Sequence, residues 1–173
     1  MIVVFQPKEG KAKHTIAHVA KLDGYSNKKA GGKKMELQLL RHNASAFKKS
    51  AERNLEQRPL TNGKIEFFIV PAIVNLAFSV ELYLKFLLGN NKTPIKKHEL
   101  LDLFNMLDPS MKQDIIKLTR YDISEFELLL KEHSTAFVEW RYLHESNTCK
   151  RVNLEFIIEL ANSIESIVNR TLS

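Results

Sequence analysis

Apolar residues recur at three- and four-residue steps along most of the chain, which is the spacing of one face of an α-helix. The first such segment carries six apolar residues at this spacing between Leu37 and Leu55. We therefore predict a helix that begins at Met35 and ends before the turn residues Pro59 to Gly63. Strand-like alternation is absent after residue 20, so the pattern as a whole predicts an all-α fold.

The second predicted helix is apolar on nearly all sides. It begins at Ile65 or Pro71 and ends at Leu88, because the following Gly89 favours helix termination. A helix that is apolar all round belongs at the centre of a bundle. Its most apolar run, residues 67–80, is shorter than the ~20 residues that a membrane span needs, and we predict no contact with a membrane.

The rest of the chain predicts two short and two long helices. Their expected ranges are 98–107 and 110–120 for the short helices, and 124–144 and 153 onward for the long ones. Ser110 with Gln113, and Ser124 with Glu127, have the spacing of a capping box, and Asn153 is expected to cap the last helix. We predict an antiparallel up-and-down helical bundle of about four long and two short helices over residues 35–173.

A short basic arm, residues 1–34, precedes the predicted bundle. Ile2 to Phe5 is typical of a strand, and Thr15 to Val19 could pair back to give a β-hairpin-like unit. The arm contains eight lysines and two acids, a net charge of +6, whereas residues 35–173 carry 18 basic and 18 acidic residues. An arm of this charge suits contact with a polyanion, and a solvated tail that keeps the protein soluble is the alternative.

Length and composition exclude several classes of protein. The 173 residues fit one domain, and a single cysteine, Cys149, excludes an intramolecular disulfide. No secretion signal is visible, so we expect a cytoplasmic protein. Gly31 to Lys34 lacks the Ser or Thr of a phosphate loop, and the pair His14 and His18 has no third ligand nearby. We predict no metal site and no cofactor.

Charged residues also stand where the pattern predicts burial. Glu81 and Lys85 lie four apart in the most apolar helix, an order that favours an ion pair. Arg141 and His144 are three apart and share one face of their predicted helix. We expect Arg141 to pair with Glu81 across the helix interface. Such a group could bind a phosphate, or it could be an interior polar network that only fixes the helix register.

Three segments in this order resemble the HEPN superfamily: Phe78 to Lys85, His98 to Phe104, and Phe137 to Glu145. The resemblance covers about residues 35–170 and implies a helical bundle that forms homodimers. Many members of the superfamily are metal-independent endoribonucleases in toxin–antitoxin, phage-defence or RNA-processing systems. Others are nucleotide-binding modules or non-catalytic partners of small nucleotidyltransferases.

The resemblance also implies roles for Arg141 and His144. In active members an arginine is followed, after four to six intervening residues, by a histidine that acts on RNA across the dimer interface. Arg141 would bind and polarise the scissile phosphate, and His144 would be the general acid or base. In this chain only Tyr142 and Leu143 separate the two residues, a closer spacing than the family pattern.

We therefore predict an HEPN-like protein that binds RNA or a nucleotide-containing partner. A metal-independent endoribonuclease that uses Arg141 and His144 is one alternative, and a non-enzymatic interaction protein is the other. The expected partners are a second copy of the chain, RNA or a nucleotide, and a nucleotidyltransferase or an antitoxin. Five further residues are expected in the polar network or binding site: Glu81, Lys85, His98, Tyr142 and Glu145.

Overall fold

The computed structural model describes residues 2–5, 31–89, 95–142, 145 and 150–171. Most of this part of the chain is helical, which confirms the all-α prediction. Its α-helices are α1 (Gly31–Asn54), α2 (Ile69–Leu87), α3 (Leu100–Asn105), α4 (Pro109–Lys117), α5 (Ile123–Glu132), α6 (Ala136–Arg141) and α7 (Leu154–Arg170). The short strands are β1 (Ile2–Phe5), β2 (Arg58–Pro59), β3 (Ile65–Glu66) and β4 (Lys150–Asn153).

Helix α2 is the centre of the fold, as its apolar composition predicts. It packs against α1, α3, α6 and α7. Two side-chain contacts fix its direction relative to α1: the Ser79 hydroxyl donates to the Ala44 carbonyl at 2.8 Å, and Asn75 Nδ2 donates to Ser50 Oγ at 3.1 Å. Residue numbers rise along α1 as they fall along α2, so the two helices are antiparallel.

A small hairpin connects these two antiparallel helices. β2 pairs with β3 in antiparallel register, Arg58 opposite Glu66. Gly63 in the connecting turn has a φ of 75°, a backbone conformation that favours glycine. The hairpin therefore brings the end of α1 next to the start of α2, where the Phe68 N–H donates to the Asn54 carbonyl at 2.8 Å.

Among the described helices, α2 is the one long and apolar enough to cross a membrane by length and composition. In its most apolar 18-residue window, 56% of the residues are buried by the rest of the chain. Ile73, Val80 and Leu84 of this helix are fully buried. This burial is consistent with the core helix of a soluble protein.

The prediction that no strand follows residue 20 was wrong. β1 pairs antiparallel with β4, Ile2 opposite Asn153 and Phe5 opposite Lys150. β2 and β3 are two residues long, which is too short to show alternation. In β4, Val152 is the one buried residue, and its neighbours in the strand are polar. The proposed hairpin partner, Thr15 to Val19, lies outside the described residues, and the division into arm and bundle at residue 34 stays a prediction.

The long helix predicted over 124–144 is instead two helices, α5 and α6, separated at His133 to Thr135. This break supports the neighbouring helix α3. The Ser134 carbonyl accepts from the Leu100 N–H, and the Ser134 hydroxyl accepts from the Leu101 N–H, each at 3.0 Å. Two N–H groups that α3 cannot satisfy internally thus find partners, which a continuous helix would not provide.

Several helix starts also differ from the predicted ones. α1 begins at Gly31 rather than Met35. α4 begins at Pro109, a favoured first position because proline lacks the N–H that would be unsatisfied there. The N-cap of α5 is Asp122, whose carboxylate accepts from the Glu125 N–H at 2.9 Å, rather than Ser124. The cap of α7 by Asn153 is confirmed, because its side chain accepts from the Phe156 N–H.

Candidate functional site

The acid of the central helix is buried and paired. The side chain of Glu81 is 1% exposed, and its Oε1 lies 2.8 Å from Lys85 Nζ one turn later on α2. The predicted ion pair is confirmed. A carboxylate in this position needs such a partner, because removing a lone charge from water costs several kcal/mol.

His98 is the second partner of Glu81. It precedes α3, and its Nδ1 lies 2.9 Å from the same Oε1 atom. The His98 side chain is 61% exposed, so the pair joins an interior carboxylate to a surface imidazole. Both neighbours contact Oε1, and the buried Oε2 has no hydrogen-bond partner among the described residues.

Arg141 does not pair with Glu81, and that expectation was wrong. Its guanidinium donates to the Tyr142 hydroxyl at 2.9 Å and lies over two rings, 4.8 Å from the centroid of Phe137 and 4.5 Å from that of Tyr142. The position facing α2 is taken by Phe137, which stacks on Phe78 with centroids 4.6 Å apart. Because α6 is a separate short helix, the register extrapolated from α5 did not apply to Arg141.

A row of rings leads from the core to Arg141. Phe47 of α1 packs edge-on against Phe78 of α2, and Phe78 stacks on Phe137 of α6 at an interplanar angle of 16°. The guanidinium then covers Phe137 at the surface. A cation–π contact of this kind restrains a guanidinium, and the N–H groups, which lie in the plane of the guanidinium itself, can still bind a ligand.

A cleft of about 450 Å³ opens between the segment before α3 and the first turn of α6. Its walls include His98, Glu99, Ser134, Thr135, Phe137 and Glu139. Thr135 Oγ1 donates to Glu139 Oε1 at 2.7 Å, and Lys150 Nζ lies 3.1 Å from Glu139 Oε2. Although burial opposes ionisation, these two contacts hold the pKa of Glu139 below its usual range.

The predicted site residues thus fall into two groups beside the ring of Phe137. One group is Glu81 with Lys85 and His98, and His98 shares the cleft wall with Phe137. The other is Arg141 with Tyr142, both exposed. Glu145 is exposed, and its N–H donates to the Tyr142 carbonyl at 2.9 Å. His144 lies outside the described residues.

The polar residues at the break between α5 and α6 were not among the predicted site residues. His133 is buried, with Nδ1 2.6 Å from the Leu129 carbonyl and Nε2 2.7 Å from the Asn153 nitrogen. A carbonyl can only accept and an N–H can only donate, so the ring is neutral with its proton on Nδ1. Burial lowers the pKa of His133. The run His133-Ser134-Thr135, poor in strong helix formers, was the available signal.

A further polar network, not predicted, joins α1, α2 and α7. The hydroxyl of the buried Tyr83 donates to Glu165 Oε1 at 2.6 Å, and Lys48 Nζ lies 2.9 Å from Glu165 Oε2. Burial, and next the carboxylate of Glu165, raise the pKa of Tyr83. Burial opposes ionisation of Glu165, but the Tyr83 and Lys48 contacts outweigh it and lower its pKa. The network fixes the packing of three helices. Because Tyr83 is buried, a ligand cannot reach its side chain.

Comparison with known proteins identifies no relative of this chain. No family model, no curated protein and no solved structure matches the chain. Within the described ranges, no three His, Cys, Asp or Glu side chains come close enough to hold a metal ion. The functional reading therefore rests on the residues themselves.

Proposed function

We propose that the chain is an HEPN-like protein that binds RNA through Arg141, Tyr142 and the adjoining cleft wall at His98, which we call the Arg141 surface. One observation carries the proposal: an exposed guanidinium is held over Phe137 and beside Tyr142 without an acidic partner among the described residues. Arginine in this arrangement can bind a phosphate with two N–H groups.

The aromatic rings beside the guanidinium suit single-stranded RNA. Unstacked bases pack on tyrosine rings and on guanidinium planes, and phosphate oxygens accept hydrogen bonds from charged N–H groups. Tyr142 is 37% exposed, enough for a base to reach its ring. His98 adds a donor or acceptor on the wall of the cleft, which it shares with Phe137. The lysines of the arm, at residues 8–34, would add charge that is not specific to sequence.

The test is a titration of fluorescein-labelled single-stranded RNA by anisotropy over a series of salt concentrations. We expect the logarithm of the binding constant to fall linearly with the logarithm of salt, because phosphate contacts release counterions. Arg141→Ala should weaken binding by roughly tenfold to a hundredfold. Arg141→Lys should recover only part of the loss, because lysine lacks the planar fork.

The matched control is Arg58→Ala. Arg58 is an exposed arginine on β2, in the hairpin that precedes α2. Arg141 instead lies over Phe137, which stacks on Phe78 in the middle of α2. Unchanged affinity in Arg58→Ala together with the loss in Arg141→Ala supports a local surface. Equal losses in both variants, or affinity independent of salt, would contradict the proposal.

The finer parts of the prediction belong to the same proposal. We propose an up-and-down bundle that acts as a cytoplasmic homodimer, with an antitoxin or a nucleotidyltransferase as its protein partner. Sedimentation of the purified chain over a concentration series tests the dimer. The endoribonuclease that uses Arg141 and His144 stays a prediction, as does the interaction protein without catalysis.

A further inference from the structure

β1 forms hydrogen bonds with β4 along one edge, and its other edge has no partner strand in the described part of the chain. The direction in which each residue bonds follows from Asn153, which lies opposite Ile2 in the register. The N–H of Asn153 donates to His133 Nε2 at 2.7 Å, so it points away from β1. In an antiparallel pair, hydrogen-bonded and non-hydrogen-bonded residue pairs alternate. Ile2 and Asn153 are therefore a non-hydrogen-bonded pair.

The same alternation assigns the next two residue pairs of the register. Val3 and Val152 exchange hydrogen bonds, whereas Val4 and Arg151 do not. The N–H and C=O groups of Ile2 and Val4 thus point to the side opposite β4. Within the described ranges, no backbone group forms a hydrogen bond with these outward groups. β1 is accordingly an edge strand with two donors and two acceptors on its outer side.

The sequence of β1 favours the addition of another strand at this edge. Ile2 to Phe5 consists of β-branched and aromatic residues, which have high strand propensity. The strand contains neither proline nor a charged residue, and these are the residues that commonly prevent an edge strand from pairing with another chain. A strand added here would satisfy the outward groups of Ile2 and Val4 through main-chain hydrogen bonds.

We propose that β1 pairs in antiparallel orientation with β1 of a second copy of the chain, with Val3 on the two-fold axis. This pairing, which rests on the homodimer of the proposed function, is the interface of that dimer. With Val3 opposite Val3, Ile2 of each copy lies opposite Val4 of the other, and each of these two pairs exchanges two hydrogen bonds. All outward groups of Ile2 and Val4 are then satisfied in both copies. A two-fold axis requires such a self-complementary contact.

Charge also favours the antiparallel arrangement. It places the two Phe5 residues at opposite ends of the joined strands, so the lysine-rich residues 8–34 of the two copies follow from opposite ends. A parallel pairing would start both basic segments at the same end, where like charges repel.

The resulting sheet has four strands in the order β4, β1, β1 and β4. Sheets of three or more strands are more stable than two-stranded ones, and β1 of each copy also contacts α7 of its own chain. Lys150 of β4 contacts Glu139 on the wall of the cleft. The sheet therefore extends from the cleft wall of one copy to that of the other.

Sedimentation of the full chain over a concentration series measures the dimer. Val4→Pro removes the outward N–H of Val4 but no donor to β4, and proline is tolerated in an edge strand. We expect this variant to raise the dissociation constant of the dimer by about tenfold or more. Val4→Thr keeps both the N–H and the β-branched shape, so this matched control should dimerise as the wild type does. Circular dichroism reports whether both variants keep the helical fold.

A cross-link tests the register. The Cα atoms of a non-hydrogen-bonded antiparallel pair lie about 4.5 Å apart, within the range of about 4.4–6.8 Å that a disulfide spans. In a Cys149→Ser background, Val3→Cys should therefore form a covalent dimer on oxidation. Phe5→Cys should not, because it lies four residues, about 14 Å along the strand, from its equivalent in the second copy.

The outcomes separate this interface from the rest of the proposed function. A dimer that persists unchanged in Val4→Pro, or equal cross-linking of Val3→Cys and Phe5→Cys, overturns the β1 interface and leaves the homodimer standing. A wild type that sediments as a monomer at every concentration overturns both, and it is the result expected if residues 15–19 of the same chain occupy the edge. Failure to bind RNA overturns the Arg141 surface and leaves the β1 interface standing.

Discussion

Nδ1 of His98 lies 2.9 Å from Oε1 of Glu81, although the histidine side chain is 61% exposed and that of the glutamate is 1% exposed. The pair connects the middle of the apolar central helix to the wall of a surface cleft. A charge that is costly to bury therefore acts on a group that solvent and ligands can reach. Lys85 neutralises the charge of Glu81 and so offsets the free-energy cost of burying this carboxylate.

Removing Lys85 should therefore destabilise the fold markedly. We expect Lys85→Met to lower the free energy of unfolding by about 3 kcal/mol, because Glu81 loses its cationic partner while remaining buried. The double variant Glu81→Leu with Lys85→Met should recover much of the loss, since no unpaired charge remains. Urea unfolding followed by circular dichroism measures all three proteins.

The control for this prediction is Lys97→Ala. Lys97 contacts Asp102 at 2.7 Å, but both side chains are about half exposed. Exposed pairs contribute at most about 1 kcal/mol. A loss in Lys85→Met no larger than that in Lys97→Ala would contradict the buried-pair interpretation.

Arg141 should be dispensable for stability. An arginine buried against Glu81 would have made Arg141→Ala costly by ~3–5 kcal/mol. The guanidinium is instead exposed, on the rings of Phe137 and Tyr142. We expect Arg141→Ala to cost about 0.5–1 kcal/mol, the magnitude of an exposed cation–π contact. Thermal unfolding provides the measurement, and a cost above 3 kcal/mol would show that Arg141 is part of the interior.

The sequence predicts the helical parts of this molecule better than its site. The apolar periodicity located α2 and α7 closely, because a buried helix leaves an unbroken pattern over many residues. The pairing of Glu81 with Lys85 followed from spacing within one helix. Contacts within one helix follow from the spacing of residues along the sequence, because residues three and four apart are neighbours on a helix.

Contacts between elements could not be predicted in the same way. The break at His133 to Thr135 interrupts an apolar stripe that otherwise continues from Phe126 to Trp140, so periodicity alone favoured one helix. Extrapolating through that break placed Arg141 against Glu81. His98 was identified as a polar network residue, but its pairing with Glu81 depends on how the segment before α3 folds back onto α2.

The Tyr83 network predicts a measurable stability effect. Tyr83→Phe removes the donor to Glu165 at 2.6 Å and should cost about 1–2 kcal/mol at neutral pH. The folded-state pKa of Glu165 is lowered, so its contribution is present above the unfolded pKa of about 4.3 and is lost as pH falls through the folded value. The difference between wild type and variant should therefore shrink in acid. A difference that is constant down to pH 3 would contradict the assignment.

His133 predicts a different pH dependence. Burial lowers its pKa in the folded protein, and its two hydrogen bonds require the neutral ring. The stability it provides is complete above the unfolded pKa of about 6.5 and falls as pH decreases toward the folded value, by at most ~1.4 kcal/mol per pH unit. We expect His133→Phe to be less stable than wild type at pH 8 and to lose less stability between pH 7 and pH 5. Melting temperatures across this range test both statements. Parallel curves for the two proteins would mean that protonation of His133 does not limit stability in acid.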